Sequence, residues 1–141
     1  MDFVVFGVFV VVACVLTLVM YLVASSRKGS VGAVAMTNRR IVLHSAAPPG
    51  AVYSWLTQYC PPGYSVEDAD PANGIVVLSS KPTFFTYGFF FPAIVCTEGT
   101  GTRVDLGIKS RLFQYGPLVT KAHREIAHAL ANLTQSRVEG A

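Results

Sequence analysis

Three histidines, three cysteines and eight carboxylates are the side chains with which this 141-residue chain could carry out bond-making or metal chemistry. Their spacing assembles no reaction. His123 and His128 stand five apart, about 140° around a helix, so they cannot hold one ion as neighbours. His44 stands alone in a β-branched run. There is no CxxC, HExxH or EF-hand loop, so the sequence implies no metal site and no cofactor. A nucleophile needs an activating base, and the hydroxyls here fall in turns without a G-x-S-x-G elbow.

The remaining candidates have plain roles. Cys14 lies inside an apolar run, which leaves only Cys60 and Cys96 to pair, and Cys96 shares a strand face with Phe90 and Ile94, where a thiol packs as a small hydrophobe. Glu67, Asp68 and Asp70 cluster at a turn and read as a solvated loop. Gly99-Thr100-Gly101 lies between two strand patterns, where a hairpin turn explains it better than a phosphate-binding loop opening a helix. No catalytic residue is assigned, and the chain is expected not to be an enzyme.

Charge excludes a further class. The net charge is +3, but residues 31–141 carry 9 basic and 7 acidic side chains, too even a balance for a nucleic-acid-binding domain. The excess sits in Arg27, Lys28, Arg39 and Arg40, and in Arg103, Lys109 and Arg111 on one strand face. Those last three are candidate contacts for anionic headgroups or an acidic partner, with a solvated face as the alternative.

The elements that must position these residues begin with Phe3 to Val23, 21 residues without a charge. As a helix this run spans roughly 31 Å, the thickness of a bilayer's hydrocarbon core. A cleaved signal peptide would carry a basic start and a shorter apolar run, so residues 1–24 are expected to be a retained single span. The basic residues follow it, which places the N-terminus outside and the C-terminal domain in the cytoplasm. Gly7, Cys14, Thr17 and Tyr21 recur near helical spacing and form a candidate packing seam for another transmembrane helix.

Residues 25–38 read as a short basic tether and lead-in, 39–134 as one globular domain and 135–141 as a flexible tail. Arg39 to Ser45 predicts a strand. Val52, Trp55, Leu56 and Tyr59 give the next helix an apolar face, starting near Pro48 or Pro49 and stopped by Pro61-Pro62-Gly63. Tyr64 to Asp68 and Ile75 to Ser79 form a hairpin around Asp70-Pro71-Ala72-Asn73-Gly74. Phe84 to Cys96 and Thr102 to Leu112 pair around Glu98-Gly99-Thr100-Gly101. After Gly116-Pro117, a last helix turns Val119, Ala122, Ile126, Ala129 and Leu133 inward and Lys121, Arg124, Glu125 and His128 outward.

The order β-α-β-β-β-β-α implies an α+β fold, an antiparallel sheet with both helices on one face. In element order alone it resembles the helix-grip type of fold, in which a curved antiparallel sheet wraps a C-terminal helix, sometimes around a lipid or other apolar ligand.

The run from Phe84 to Phe91 is the one local anomaly. Alternation sends Phe84, Phe90, Ile94 and Cys96 to one face and Phe85, Tyr87, Phe89, Phe91 and Val95 to the other, so both faces are apolar. The cover for the second face is either the curled sheet itself, helped by Gly88 and Pro92, or a membrane protein or lipid interface, or a bound apolar ligand. Phe85, Tyr87, Phe89 and Phe91 are therefore candidate partner or ligand contacts. The leading expectation is a non-catalytic accessory subunit docking on an integral membrane protein complex in the lipid bilayer. The alternative is a membrane-tethered binder or sensor of a hydrophobic small molecule or lipid.

Overall fold

The computed structural model describes residues 2–26, 29, 39–82, 88–111 and 116–139. An apolar helix, α1 (Phe3–Ser26), is followed by β1 (Arg40–Ser45), α2 (Pro49–Gln58), β2 (Tyr64–Asp70), β3 (Ile75–Ser80), β4 (Phe89–Glu98), β5 (Gly101–Gly107), β6 (Lys109–Ser110), α3 (Gly116–Thr134) and β7 (Ser136–Glu139). α1 is long and apolar enough to cross a membrane, and nearly all of its side chains are exposed. The strands form one antiparallel sheet in the order β2-β3-β4-β5-β1-β7, with α2 and α3 packed on one face. This is the α+β class expected from the element order.

Local chemistry explains the boundaries. Pro48 is the extended residue before α2, its carbonyl accepting from Ala51 and Val52, and Pro49 occupies the first turn, where no N–H is needed. Val52 and Leu56 are buried as predicted, whereas Tyr59 is 63% exposed because the helix ends at Gln58 and turns it outward. β5 and β6 pair with β4 in one unbroken register, Ala93 opposite Leu106 and Phe90 opposite Lys109. The same register sets Pro92, which has no N–H to give the ladder, opposite Gly107, where β5 ends just before the break.

Fully buried Leu43, Leu56, Leu78, Phe91, Leu106, Ile126 and Leu130 form the centre of the core, each contributing about 2 kcal/mol through burial. The inward stripe of α3 runs through Val119, Ala122, His123, Ile126, Ala127, Leu130 and Thr134. It drifts from the predicted stripe: Ala129 is only half-buried and Leu133 lies at the margin, because 3.6 residues per turn carry the face toward 130 and 134.

The expected flexible tail is corrected. Gln135 adopts a left-handed conformation (φ 53°) that ends α3 and turns the chain back. Residues 136–139 then add β7 to the edge of β1, pairing Ser136 with Ser45 and Glu139 with Val42.

Candidate functional site

Three places gather chemistry-bearing or apolar side chains: a cavity under α3, a charged cluster on the open face of the sheet, and the junction between α1 and that same face.

The cavity lies between the sheet and the first three turns of α3. It holds about 390 Å³ and is lined by Tyr64, Ser80, Lys81, Phe89, Phe91, Leu118, Lys121, Ala122 and Glu125, with Gly63 at its margin. Strand alternation puts Phe89 and Phe91 on the helix side, where their ring centroids are 6.1 Å apart and Tyr64 meets Phe91 edge-on at 5.8 Å. Both phenylalanines are nearly inaccessible to solvent, so they are not a surface for a protein partner; their free edge is the cavity. Leu118, Lys121 and Glu125 stand exposed on α3, with Lys121 and Glu125 3.8 Å apart. The result is an apolar floor with a charged mouth. Phe85 and Tyr87 lie outside the described residues.

On the opposite face, β1, β4, β5 and β7 bring together Arg40, Val42, His44, Glu98, Arg103, Asp105 and Glu139 around a shallow depression of about 410 Å³. His44 Nδ1 lies 2.6 Å from Glu98, and its Nε2 bonds Glu139. Hydrogen bonds to Glu139 and then Glu98 hold the imidazole above its usual range, so it is the charged form that donates from both nitrogens. With both nitrogens engaged, His44 has no lone pair for base catalysis. Arg103 pairs with Asp105 at 3.3 Å. Arg103 remains partly exposed on this face, its charge shared with Asp105.

The junction centres on Arg111, which alternation had placed on the solvent side. It is only 5% exposed. Its Nη1 donates to the main-chain oxygen of Ala24 at 3.3 Å and its Nη2 to that of Ser80 at 3.2 Å. The guanidinium lies 4.4 Å over the Phe90 ring and 3.6 Å from Glu67, whose carboxylate also accepts from Ser79. Burial lowers its pKa and the Glu67 charge works against that fall. Gly29 packs on the same ring so closely that an added Cβ would come within 2.5 Å of it. Phe90, which clusters with buried Val77 on this face, thus sits beneath Arg111 and Gly29. Lys109, the third basic candidate, is exposed on β6.

Along α1, Gly7, Cys14 and Thr17 are exposed and Tyr21 is half-buried, with the Thr17 hydroxyl donating to Ala13 within the helix. Ala13, Cys14, Thr17 and Leu18 border a shallow groove. Cys60 and Cys96 are half-buried thiols, and burial pushes Cys60 up in pKa, away from nucleophilic reactivity. Among the described residues no group of three or more metal-ligating side chains is assembled.

No family model matches the chain, and no curated protein matches it. Among solved structures, the crystal structure of Ara h 8.0201, a Bet v 1-like protein, is similar over 68% of this chain and 93% of that chain, with a TM-score of 0.53 and 7% identity. At that identity the likeness concerns the fold alone, and the fold is of the helix-grip type.

Proposed function

We propose that the chain is a non-catalytic, membrane-anchored binder of a hydrophobic small molecule or lipid, with α1 as a single span and the helix-grip domain on the cytoplasmic side. The supporting observation is the cavity of about 390 Å³ floored by Phe89, Phe91 and Tyr64 beneath α3. Apolar concavities with a few polar groups at the mouth are the ordinary form of small-molecule sites. The orientation of the span follows the basic residues on its C-terminal side, Arg27, Lys28, Arg39 and Arg40. The test is purification of the full chain in mild detergent, followed by mass spectrometry of the intact particle and of its extracted lipid. A stoichiometric apolar ligand that disappears on Leu118→Trp is the expected result; a ligand-free wild-type particle overturns the proposal.

A second reading, the accessory subunit of an integral membrane protein complex, draws on the groove along α1 at Ala13, Cys14, Thr17 and Leu18. Small side chains there allow close approach of another helix. Under this reading the same preparation carries a stoichiometric protein partner, lost when Cys14 and Thr17 are replaced by leucine. The two readings are compatible if a bound ligand controls the partner.

A further inference from the structure

The cavity and the end of α1 are joined by one side chain. Ser80 lines the cavity wall, and its main-chain oxygen accepts from Arg111 Nη2 while Nη1 of the same guanidinium donates to Ala24 in the last turns of α1. The cavity on the helix side of the sheet and the end of the apolar helix on its open face therefore meet at the same end of β3, where Arg111 ties Ser80 to Ala24. The contact is built on both sides. Gly88, at φ 77°, brings the backbone so close that a Cβ would stand 2.7 Å from the Ser80 oxygen and 3.0 Å from Arg111 Nε, and the Gly88 carbonyl accepts the Arg111 N–H at 3.2 Å.

We propose that the cavity opens beside the bilayer and draws its ligand from it, the ligand being a single-chain amphiphile with an anionic head. This rests on the binding reading and on α1 as a span. Arg111 fixes the domain against the end of α1, so the mouth at Ser80 and Lys81 faces the membrane interface. A volume of about 390 Å³ lies near the small end of the range for ligand sites and suits one alkyl chain. Around the mouth stand Lys81 and Lys121, the latter 3.8 Å from Glu125, the one carboxylate among the described lining residues. That balance recognises a carboxylate or phosphate head. A long-chain carboxylate is the simplest such molecule.

The test uses the full chain in phosphatidylcholine vesicles and two probes, dansyl-labelled undecanoate and its uncharged methyl ester, read by the blue shift and saturation of dansyl emission. Wild type is expected to bind the acid more tightly than the ester. Lys81→Glu with Lys121→Glu is expected to weaken the acid about tenfold and leave the ester unchanged. Arg111→Lys, which keeps the charge but cannot bridge two carbonyls in one plane, is expected to slow transfer from vesicles while leaving affinity in detergent solution unaltered, circular dichroism confirming the fold. Equal affinity for acid and ester, or transfer by Arg111→Lys at the wild-type rate, overturns this inference while leaving the binding reading intact. Failure of wild type to bind either probe, or binding that survives Leu118→Trp, overturns both.

Discussion

Arg111 closes the C-terminal end of α1 by donating to the main-chain oxygen of Ala24, a residue 87 positions earlier in the chain. α1 has no basic residue in its own last turn. A cation at that end meets carbonyls left without intrahelical partners and the negative end of the helix dipole. The helix and the domain are therefore docked on each other.

Replacing Arg111 with alanine is expected to cost about 3 kcal/mol, because it uncovers Phe90, removes the donor to the Ser80 carbonyl and takes the cation from beside Glu67. Chemical denaturation of the full chain followed by tryptophan fluorescence at Trp55 measures this. Arg111→Lys should lose less, since the charge near Glu67 remains.

Gly88→Ala is expected to cost about 2 kcal/mol, since the left-handed backbone and the approach to Ser80 both exclude a Cβ. The same denaturation experiment checks it. Gly50, with nothing near its Cβ position, is the matched control, and Gly50→Ala should be neutral or slightly stabilising within α2.

His44 and His123 give opposite pH dependences. His44 has a raised pKa in the folded state, so its contribution is fully present below about pH 6.5 and is lost as pH rises through the raised value. His123 is buried and donates from Nε2 to the Leu106 carbonyl at 2.8 Å; burial lowers its pKa. Its contribution is present above about pH 6.5 and is lost as pH falls through the lowered value. Stability against pH should therefore lose its alkaline decline in His44→Gln, and soften on the acid side in His123→Gln. The Glu139 carboxyl, held down chiefly by its bond to His44, adds a separate loss at more acid pH.

Because β7 is held to β1 by its ladder and by the His44–Glu139 bond, its amides report on that bond directly. Hydrogen exchange at Val138 is expected to accelerate in His44→Gln and, in wild type, as pH rises beyond the intrinsic increase in exchange rate. Exchange in β3 should be unaffected.

How much of this was legible in the sequence follows from the range of the interactions. The helix at 49–58, the hairpin turn at Asn73-Gly74 and the helix after Pro117 depend on proline, glycine and apolar spacing within a few residues, and all three appear where those signals stand. β7 was missed because Ser136 to Glu139 has no apolar alternation worth reading; it is a strand because Gln135 reverses the chain beside the open edge of β1. Arg111 was placed in solvent because alternation assigns a face without saying what covers it, and its cover is the end of α1. His44 looked solitary because its two carboxylates lie 54 and 95 residues away. The aromatic run was rightly divided between two faces from Phe89 onward, yet Phe89 and Phe91 went into the core and a cavity wall instead of an outer contact.

The most direct test of the binding account is photocrosslinking in membranes with a diazirine-bearing long-chain fatty acid, followed by peptide mapping of the full chain. The account predicts adducts on the segments that carry Phe89 to Phe91 and Leu118 to Ala122, abolished by Leu118→Trp and competed by unlabelled fatty acid. Adducts confined to α1, with none on the sheet or α3, would contradict it.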